Sequence, residues 1–149
     1  MEVKTTITNI THDDLVNLFS TATYGSYYLD CGVPKGFYKG TELEDENDCR
    51  EDKWAKVLLA GKHIYVYDYY AEDADEFYGN LPHHWSANRE CMIYELTLDD
   101  IKKAVEKLSC AGTHEKKWVQ DWINEGNDFD LIEADALMQC IVFGKYIYG

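Results

Sequence analysis

Apolar residues near the start of the chain recur at the spacing of an α-helix. From residue 15, positions i, i+3, i+4 and i+7 are apolar and so share one helix face. They are Leu15, Leu18, Phe19 and Ala22. Thr11 precedes this stripe and Asp14 follows Thr11 by three residues, which is the pattern of a capping box. A helix is therefore predicted to begin directly after Thr11.

A second helix is predicted from a cap, a stripe and a stop. Asp48 supplies a capping carboxylate, and Glu51 stands at the third helical position after it. Gly61 is well placed to end the helix, because glycine adopts the left-handed conformation without strain. The residues expected on its buried face are Trp54, Val57 and Leu58.

The second half of the chain predicts three more helices. Thr97 and Asp100 repeat the capping box. The apolar stripe that follows consists of Leu98, Ile101, Val105 and Leu108. Helices are also predicted over residues 114–124 and 130–143, with a turn at 126–128 between them and Gly144 as the final stop.

Alternating and β-branched segments predict the strands. Residues 63–70 form the strongest candidate, with apolar or aromatic side chains on both faces. Further strands are predicted over residues 3–10, 90–96 and, as a short edge strand, 146–148. A long aromatic loop with room for a short hairpin is expected over residues 23–41, and an acidic loop over 71–88.

These elements predict one compact α+β domain over residues 1–149. We expect a small antiparallel sheet of about three or four strands, packed by about four or five helices. A chain of 149 residues buries enough surface to form a core without disulfides or structural metals. No repeat, linker or low-complexity segment divides the sequence.

The charged residues show that this predicted domain is unusually acidic. Asp and Glu number 28 against 14 Lys and Arg, so the net charge is −14. Such a chain repels DNA, RNA and anionic membranes and is attracted to basic surfaces. We therefore expect no direct nucleic-acid or membrane binding, and a basic protein as the partner.

The cysteines and the first residues of the chain bear on compartment. The five cysteines are an odd number, and no two of them are spaced as in a zinc ribbon or a redox motif. No export signal or apolar run of membrane-spanning length is visible. The expectation is a cytoplasmic protein, in the cytosol of a bacterial host, with reduced thiols.

Motifs for common catalytic chemistries are missing from the sequence. It contains no phosphate-binding loop, no dinucleotide fingerprint, no nucleophile elbow and no zinc-protease motif. Cys49 falls near a predicted helix start, but the surrounding acids oppose formation of a thiolate. No catalytic residue, metal ion or cofactor is therefore predicted, and the chain is expected not to be an enzyme.

His83 and His84 support an alternative. Imidazoles near the carboxylates of residues 68–76 are the ligands that zinc or iron uses. A metal-binding protein or hydrolytic enzyme built on these groups is the second hypothesis. Adjacent residues of an extended segment point to opposite sides, so only one of the two histidines would enter a given site.

Clusters of acids are the most distinctive feature, and the middle one is interleaved with aromatic residues. Carboxylates on such a surface would stand where phosphates stand on a nucleic acid, and tyrosine and tryptophan are enriched at the centres of interfaces. The predicted partner-binding residues are Asp68, Tyr69, Glu72, Asp73, Asp75, Glu76, Tyr78 and Trp85, together with Glu44, Asp45 and Glu46. The same acids could instead serve only to keep the protein soluble, and the tyrosines could be ordinary strand packing.

Four segments carry a resemblance to small acidic proteins encoded by phages and conjugative elements of gut anaerobic bacteria. They are residues 10–29 (ITHDDLVNLFSTATYGSYYL), 51–73 (EDKWAKVLLAGKHIYVYDYYAED), 96–108 (LTLDDIKKAVEKL) and 136–149 (ALMQCIVFGKYIYG). The resemblance implies an accessory protein of a mobile element, and such proteins often counter host defences.

The leading hypothesis joins this context to the charge. It is a non-enzymatic inhibitor of the anti-CRISPR or anti-restriction type, which occupies the basic nucleic-acid-binding surface of a host enzyme. A third hypothesis is an accessory protein of phage or plasmid replication whose acidity has no role in binding.

Overall fold

The computed structural model describes residues 9–24, 28–124 and 129–149. The strand predicted over residues 3–10 falls almost entirely outside these ranges. The turn predicted at 126–128 lies outside them as well.

Five helices and four strands make up the described chain. The helices are α1 (His12–Thr23), α2 (Arg50–Leu59), α3 (Leu98–Ser109), α4 (Thr113–Ile123) and α5 (Leu131–Phe143). The strands are β1 (Leu29–Gly32), β2 (Ile64–Asp68), β3 (His83–Ser86) and β4 (Cys91–Leu96). All strand pairs are antiparallel and the sheet order is β1-β2-β4-β3. The predicted α+β fold is confirmed.

Two helix starts follow the predicted capping boxes. The backbone N–H of Asp14 donates to Thr11 Oγ1 at 3.1 Å, and the Thr11 N–H donates to the Asp14 carboxylate at 2.9 Å. Thr97 and Asp100 make the same reciprocal pair at 3.1 and 3.0 Å. Each box satisfies two amides that a helix start leaves without partners.

The predicted cap of α2 is wrong by one residue. Cys49 is the cap, and its N–H donates to the Asp52 carboxylate at 3.1 Å. Asp48 is engaged elsewhere, because its Oδ2 accepts from Lys56 Nζ at 2.6 Å and from the Tyr38 hydroxyl at 2.7 Å. The predicted stop is confirmed, since Gly61 follows the helix with a φ of 84°.

Two strand predictions are also wrong. Residues 83–86, predicted within a loop, form β3 and pair with β4 from Ser86–Cys91 to His83–Tyr94. The edge strand predicted at 146–148 does not form. Instead, the backbone N–H groups of Ile147 and Tyr148 donate to the side chain of Gln139 in α5 at 3.0 and 2.8 Å.

Every described helix contributes to one core on the inner face of the sheet. Strand residues on that face include Ile64, Val66 and Tyr94, and all three are fully buried. The predicted stripe of α1 is buried as expected, as are Trp54, Val57 and Leu58 of α2. Leu98 of the α3 stripe is only half-buried. The helices therefore cover one side of the sheet.

The outer face of the sheet carries a smaller apolar cluster of its own. Tyr67, Cys91 and Ile93 are buried there, with Tyr65 packed against them. Gly32 on β1 makes room for this cluster, because a Cβ at that position would overlap the Tyr67 hydroxyl. No helix within the described ranges has the length and apolar character needed to cross a bilayer.

Candidate partner-binding surface

The acidic segment, residues 72–76, begins four residues after β2 ends. Glu72, Asp73 and Asp75 are exposed, and Glu76 is half-buried. Its conformation is set by its own side chains. The Glu72 N–H donates to the Glu76 carboxylate at 2.8 Å, and the Asp75 N–H donates to Asp73 Oδ1 at 2.9 Å. In the described part of the chain, no lysine, arginine or histidine lies within 4.0 Å of these four carboxylates.

Asp68, predicted as part of the exposed surface, is fully buried, so that prediction is wrong. Its carboxylate accepts from the Tyr148 hydroxyl at 2.8 Å and from the Tyr70 N–H at 2.9 Å. Burial raises the pKa of Asp68, and these hydrogen bonds oppose that rise only in part. Asp68 therefore anchors the start of the acidic segment to the C-terminal residues.

The predicted aromatic anchors divide into exposed and packed groups. Tyr69 is 45% exposed beside the acidic segment. Tyr78 is half-buried, with its ring 5.5 Å from Phe143 and its hydroxyl donating to Glu76 at 3.0 Å. Trp85 is half-buried against the inner core. Of the three predicted anchors, Tyr69 is the most exposed.

The second predicted acidic group, Glu44, Asp45 and Glu46, is exposed but lies elsewhere. It belongs to the connection between β1 and α2, and the preceding residues Glu42 and Leu43 line a shallow surface with Leu59 and Ala60. This connection lies toward the start of β2, because Phe37 contacts His63 with ring centroids 5.1 Å apart and the Tyr38 hydroxyl donates to the Asp45 carbonyl at 3.0 Å. The acidic segment instead follows the end of β2. The fold does not bring the two groups together.

The two histidines of the alternative hypothesis point to opposite faces of β3, as expected for adjacent residues of an extended segment. His83 stacks on Phe77 with ring centroids 4.1 Å apart, and its Nδ1 hydrogen-bonds to the Leu81 carbonyl at 2.9 Å. His84 is exposed and faces Tyr65 across the outer surface. Among the described residues, no three His, Cys, Asp or Glu side chains are grouped to hold a metal ion.

The cysteines are all free, and the structure separates them into two kinds. Cys31, Cys91 and Cys140 are buried, and burial raises the pKa of the Cys140 thiol to about 11. Cys49 is exposed, but its Sγ donates to the Asp52 carboxylate at 3.2 Å. The backbone N–H of Asp52 lowers the pKa of Cys49, but the hydrogen bond to the Asp52 carboxylate, partial burial and Glu51 together raise this pKa above its usual value.

A third acidic group lies where α4 meets α5. Lys117 Nζ contacts the Asp121 carboxylate at 2.6 Å and Glu133 Oε2 at 3.5 Å. Burial, followed by the hydrogen bond and charge of Asp121, raises the pKa of Glu133 to about 7. Asp130 caps α5 with a bond of 2.9 Å to the Glu133 N–H. Asp130 therefore caps a helix, while Asp121 and Glu133 share Lys117 between two helices, so these acids do not form one open acidic surface.

Glu133 is expected to make folding stability depend on pH. Its pKa is about 7 in the folded protein and about 4.3 in an unfolded chain, so folding takes up a proton between these values. The stabilising contribution is complete below pH 4.3 and is lost as the pH rises through 7. Urea unfolding from pH 4.5 to 8 should show a smaller fall in the Glu133→Gln variant than in wild type. The exposed Glu106→Gln serves as control, and parallel profiles of wild type and Glu133→Gln would contradict the assignment.

A groove of about 500 Å³ lies between α3, α5 and residues 79–81. Its lining includes three lysines, Lys103, Lys107 and Lys145, and two acids, Asp100 and Glu115. Because the lysines outnumber the acids, the groove would not attract a basic partner, and it does not belong to the candidate surface.

Sequence reasoning missed the outer face of the sheet as a surface with its own chemistry. Arg89 places its guanidinium carbon 4.8 Å from the centre of the Tyr67 ring. Tyr65 lies on the same face and contacts His84, with ring centroids 6.2 Å apart. The available signal was the aromatic residue at every second position from 63 to 69, which places these rings on one face.

The fold and the surface define a small acidic α+β protein with an exposed carboxylate segment beside a tyrosine-bearing sheet. No protein-family model, curated protein or solved structure matches the chain.

Proposed function

We propose that this protein is a non-enzymatic inhibitor that occupies the basic nucleic-acid-binding surface of a host enzyme, as an anti-defence protein of a mobile element does. The observation that carries the proposal is the acidic segment. Its four carboxylates have no cationic neighbour among the described residues, and they stand beside exposed Tyr69.

The anchoring of this segment supports the proposal. Asp68 is fixed by Tyr148, and Tyr78 N–H donates to the Tyr94 hydroxyl at 3.0 Å. Residues 72–76 are therefore held at both ends by the core. A prearranged row of carboxylates loses less conformational entropy on binding than a loose loop does. Unneutralised carboxylates also attract a basic groove over distances comparable to the Debye length.

The experiment measures competition with nucleic acid. The partner is captured from extract of the host bacterium on the immobilised chain, purified, and loaded with a labelled DNA or RNA duplex. We expect the chain to displace the duplex without binding it. Affinity for the partner should fall by about tenfold or more as salt rises from about 50 to about 200 mM, because charge contacts carry the encounter.

Two quadruple variants with equal charge changes locate the surface. Neutralising Glu72, Asp73, Asp75 and Glu76 should slow association by about tenfold at low salt. Neutralising Glu42, Glu44, Asp45 and Glu46 should slow it less. The replacements are Gln for Glu and Asn for Asp, whose amide oxygens keep the acceptor positions of the carboxylates. Thermal stability should therefore stay equal or rise in both variants, because repulsion between like charges is relieved. Binding that is insensitive to salt, or full potency in both variants, would contradict the proposal.

A further inference from the structure

One row of aromatic side chains runs along the outer face of β2 and the residues that flank this strand. Neighbouring ring centroids are 5.6, 6.3 and 6.0 Å apart along the row, which consists of His63, Tyr65, Tyr67 and Tyr69. Every described helix packs its buried residues into the core on the opposite, inner face. The row therefore lies on the side of the sheet that these helices leave open.

The protein already places one guanidinium group on this row. Arg89, from the turn between β3 and β4, lies over the Tyr67 ring at 4.8 Å, and Tyr67 is only 8% exposed. A guanidinium over a tyrosine face is held by the negative potential of the ring. Arg89 shows that this aromatic face accepts an arginine side chain in the folded protein.

The neighbouring ring offers a second position of the same kind. Tyr65 is half-buried, and Glu95 lies directly opposite it in the register of β2 and β4. The Glu95 side chain is 36% exposed, and its Oε1 is 3.4 Å from His63 Nε2. An aromatic face and a carboxylate on adjacent strands are the two groups that an arginine uses at once, by stacking and by charge-assisted hydrogen bonds.

We propose that the Tyr65 and Glu95 position on the outer sheet face binds arginine side chains of the basic partner. The inference rests on the proposed function for the partner's charge, and it adds that the partner presents arginine in preference to lysine. A lysine ammonium is a compact and strongly hydrated charge, whereas the planar guanidinium stacks on a ring and sheds its water more readily. The net charge of −14 complements an arginine-rich segment.

Two labelled peptides of equal length and charge test the inference, one built on arginine and one on lysine. Titration by fluorescence anisotropy should show the wild-type chain binding the arginine peptide about fivefold more tightly, as expected for a cation–π contact of about 1 kcal/mol. In Tyr65→Leu the preference should disappear, and in Tyr65→Phe it should persist. Tyr146→Leu is the control, because Tyr146 is 44% exposed in the segment that follows α5, beside Trp118.

A second measurement keeps the inference testable if Tyr65→Leu folds poorly. The arginine peptide should shift the backbone amide resonances of residues 63–67 and 93–95 in the wild-type chain. Shifts confined to other residues would overturn the inference. So would binding of a single-stranded oligonucleotide at these positions, since the rings would then stack on bases.

The remaining outcomes separate this inference from the proposed function. Equal binding of both peptides by the wild-type chain overturns the arginine preference and leaves the basic partner in place. Failure of both peptides to bind contradicts both proposals. Neutralising the acidic segment should weaken the binding of both peptides by the same factor. A loss of affinity restricted to the arginine peptide would show that arginine binds at the acidic segment and not at Tyr65.

Discussion

Replacing Trp122 by alanine is expected to lower the free energy of unfolding by about 4 kcal/mol. Trp122 in α4 is 1% exposed and is among the largest fully buried side chains. Its indole N–H donates to the Asp14 carbonyl at 2.8 Å, in the first turn of α1. The substitution would leave a cavity where two helices meet and would remove the hydrogen bond to Asp14.

The same helix supplies a matched control. Trp118 lies one turn earlier, is half-buried and contacts Tyr146 with ring centroids 6.3 Å apart. Trp118→Ala should lower the free energy of unfolding by less than half as much as Trp122→Ala does. Trp122→Phe should fall between the two, because it keeps most of the ring and loses the N–H. Urea unfolding measures all three, and equal midpoints for the two alanine variants would show that Trp122 is not a core residue.

Gln139→Ala is expected to cost about 3 kcal/mol, which is large for a polar residue. Gln139 in α5 is fully buried, and its amide makes four hydrogen bonds. Three of them join the backbone of residues 147 and 148, and the fourth joins the Asp135 carboxylate at 2.9 Å. Alanine would leave these half-buried backbone groups without their partners.

Loss of the Gln139 side chain should also loosen the acidic segment. Tyr148 is fixed by Gln139 and in turn donates to Asp68, which anchors residues 69 and 70. Amide hydrogen exchange over residues 69–76 should therefore accelerate in Gln139→Ala. Gln120→Ala is the control, because Gln120 is a half-buried glutamine on α4. A stability change equal to that of the control would contradict the buried network.

Features determined by neighbouring residues were predictable from the sequence. The capping boxes at Thr11 and Thr97 and the stop at Gly144 each depend on residues within one helical turn. The cap of α2 was misplaced because Asp48 has a more distant partner, Lys56, that no local pattern indicates. Strand β3 was missed for a related reason. Its polar sequence is stabilised by pairing with β4 and not by a propensity of its own.

The candidate surface was predictable only in part, because some of its features depend on residues that are distant in the sequence. The exposed acids of residues 72–76 were found by charge alone, since solvent exposure is the ordinary state of a carboxylate. Asp68 was misassigned because its burial depends on Tyr148, eighty residues later in the chain. The position of Arg89 over Tyr67 likewise depends on a turn and a sheet register that composition does not reveal.

The separation of the two exposed acidic groups sets a length scale for any partner. One group lies near the start of β2 and the other follows its end, and a five-residue strand is about 17 Å long. That length corresponds to about five base-pair steps of a duplex. A basic groove can meet both groups only if it is at least that long, and the second contact would then act at high effective concentration. A shorter groove would meet one group alone, so the ratio of the losses in the two quadruple variants measures the footprint of the partner.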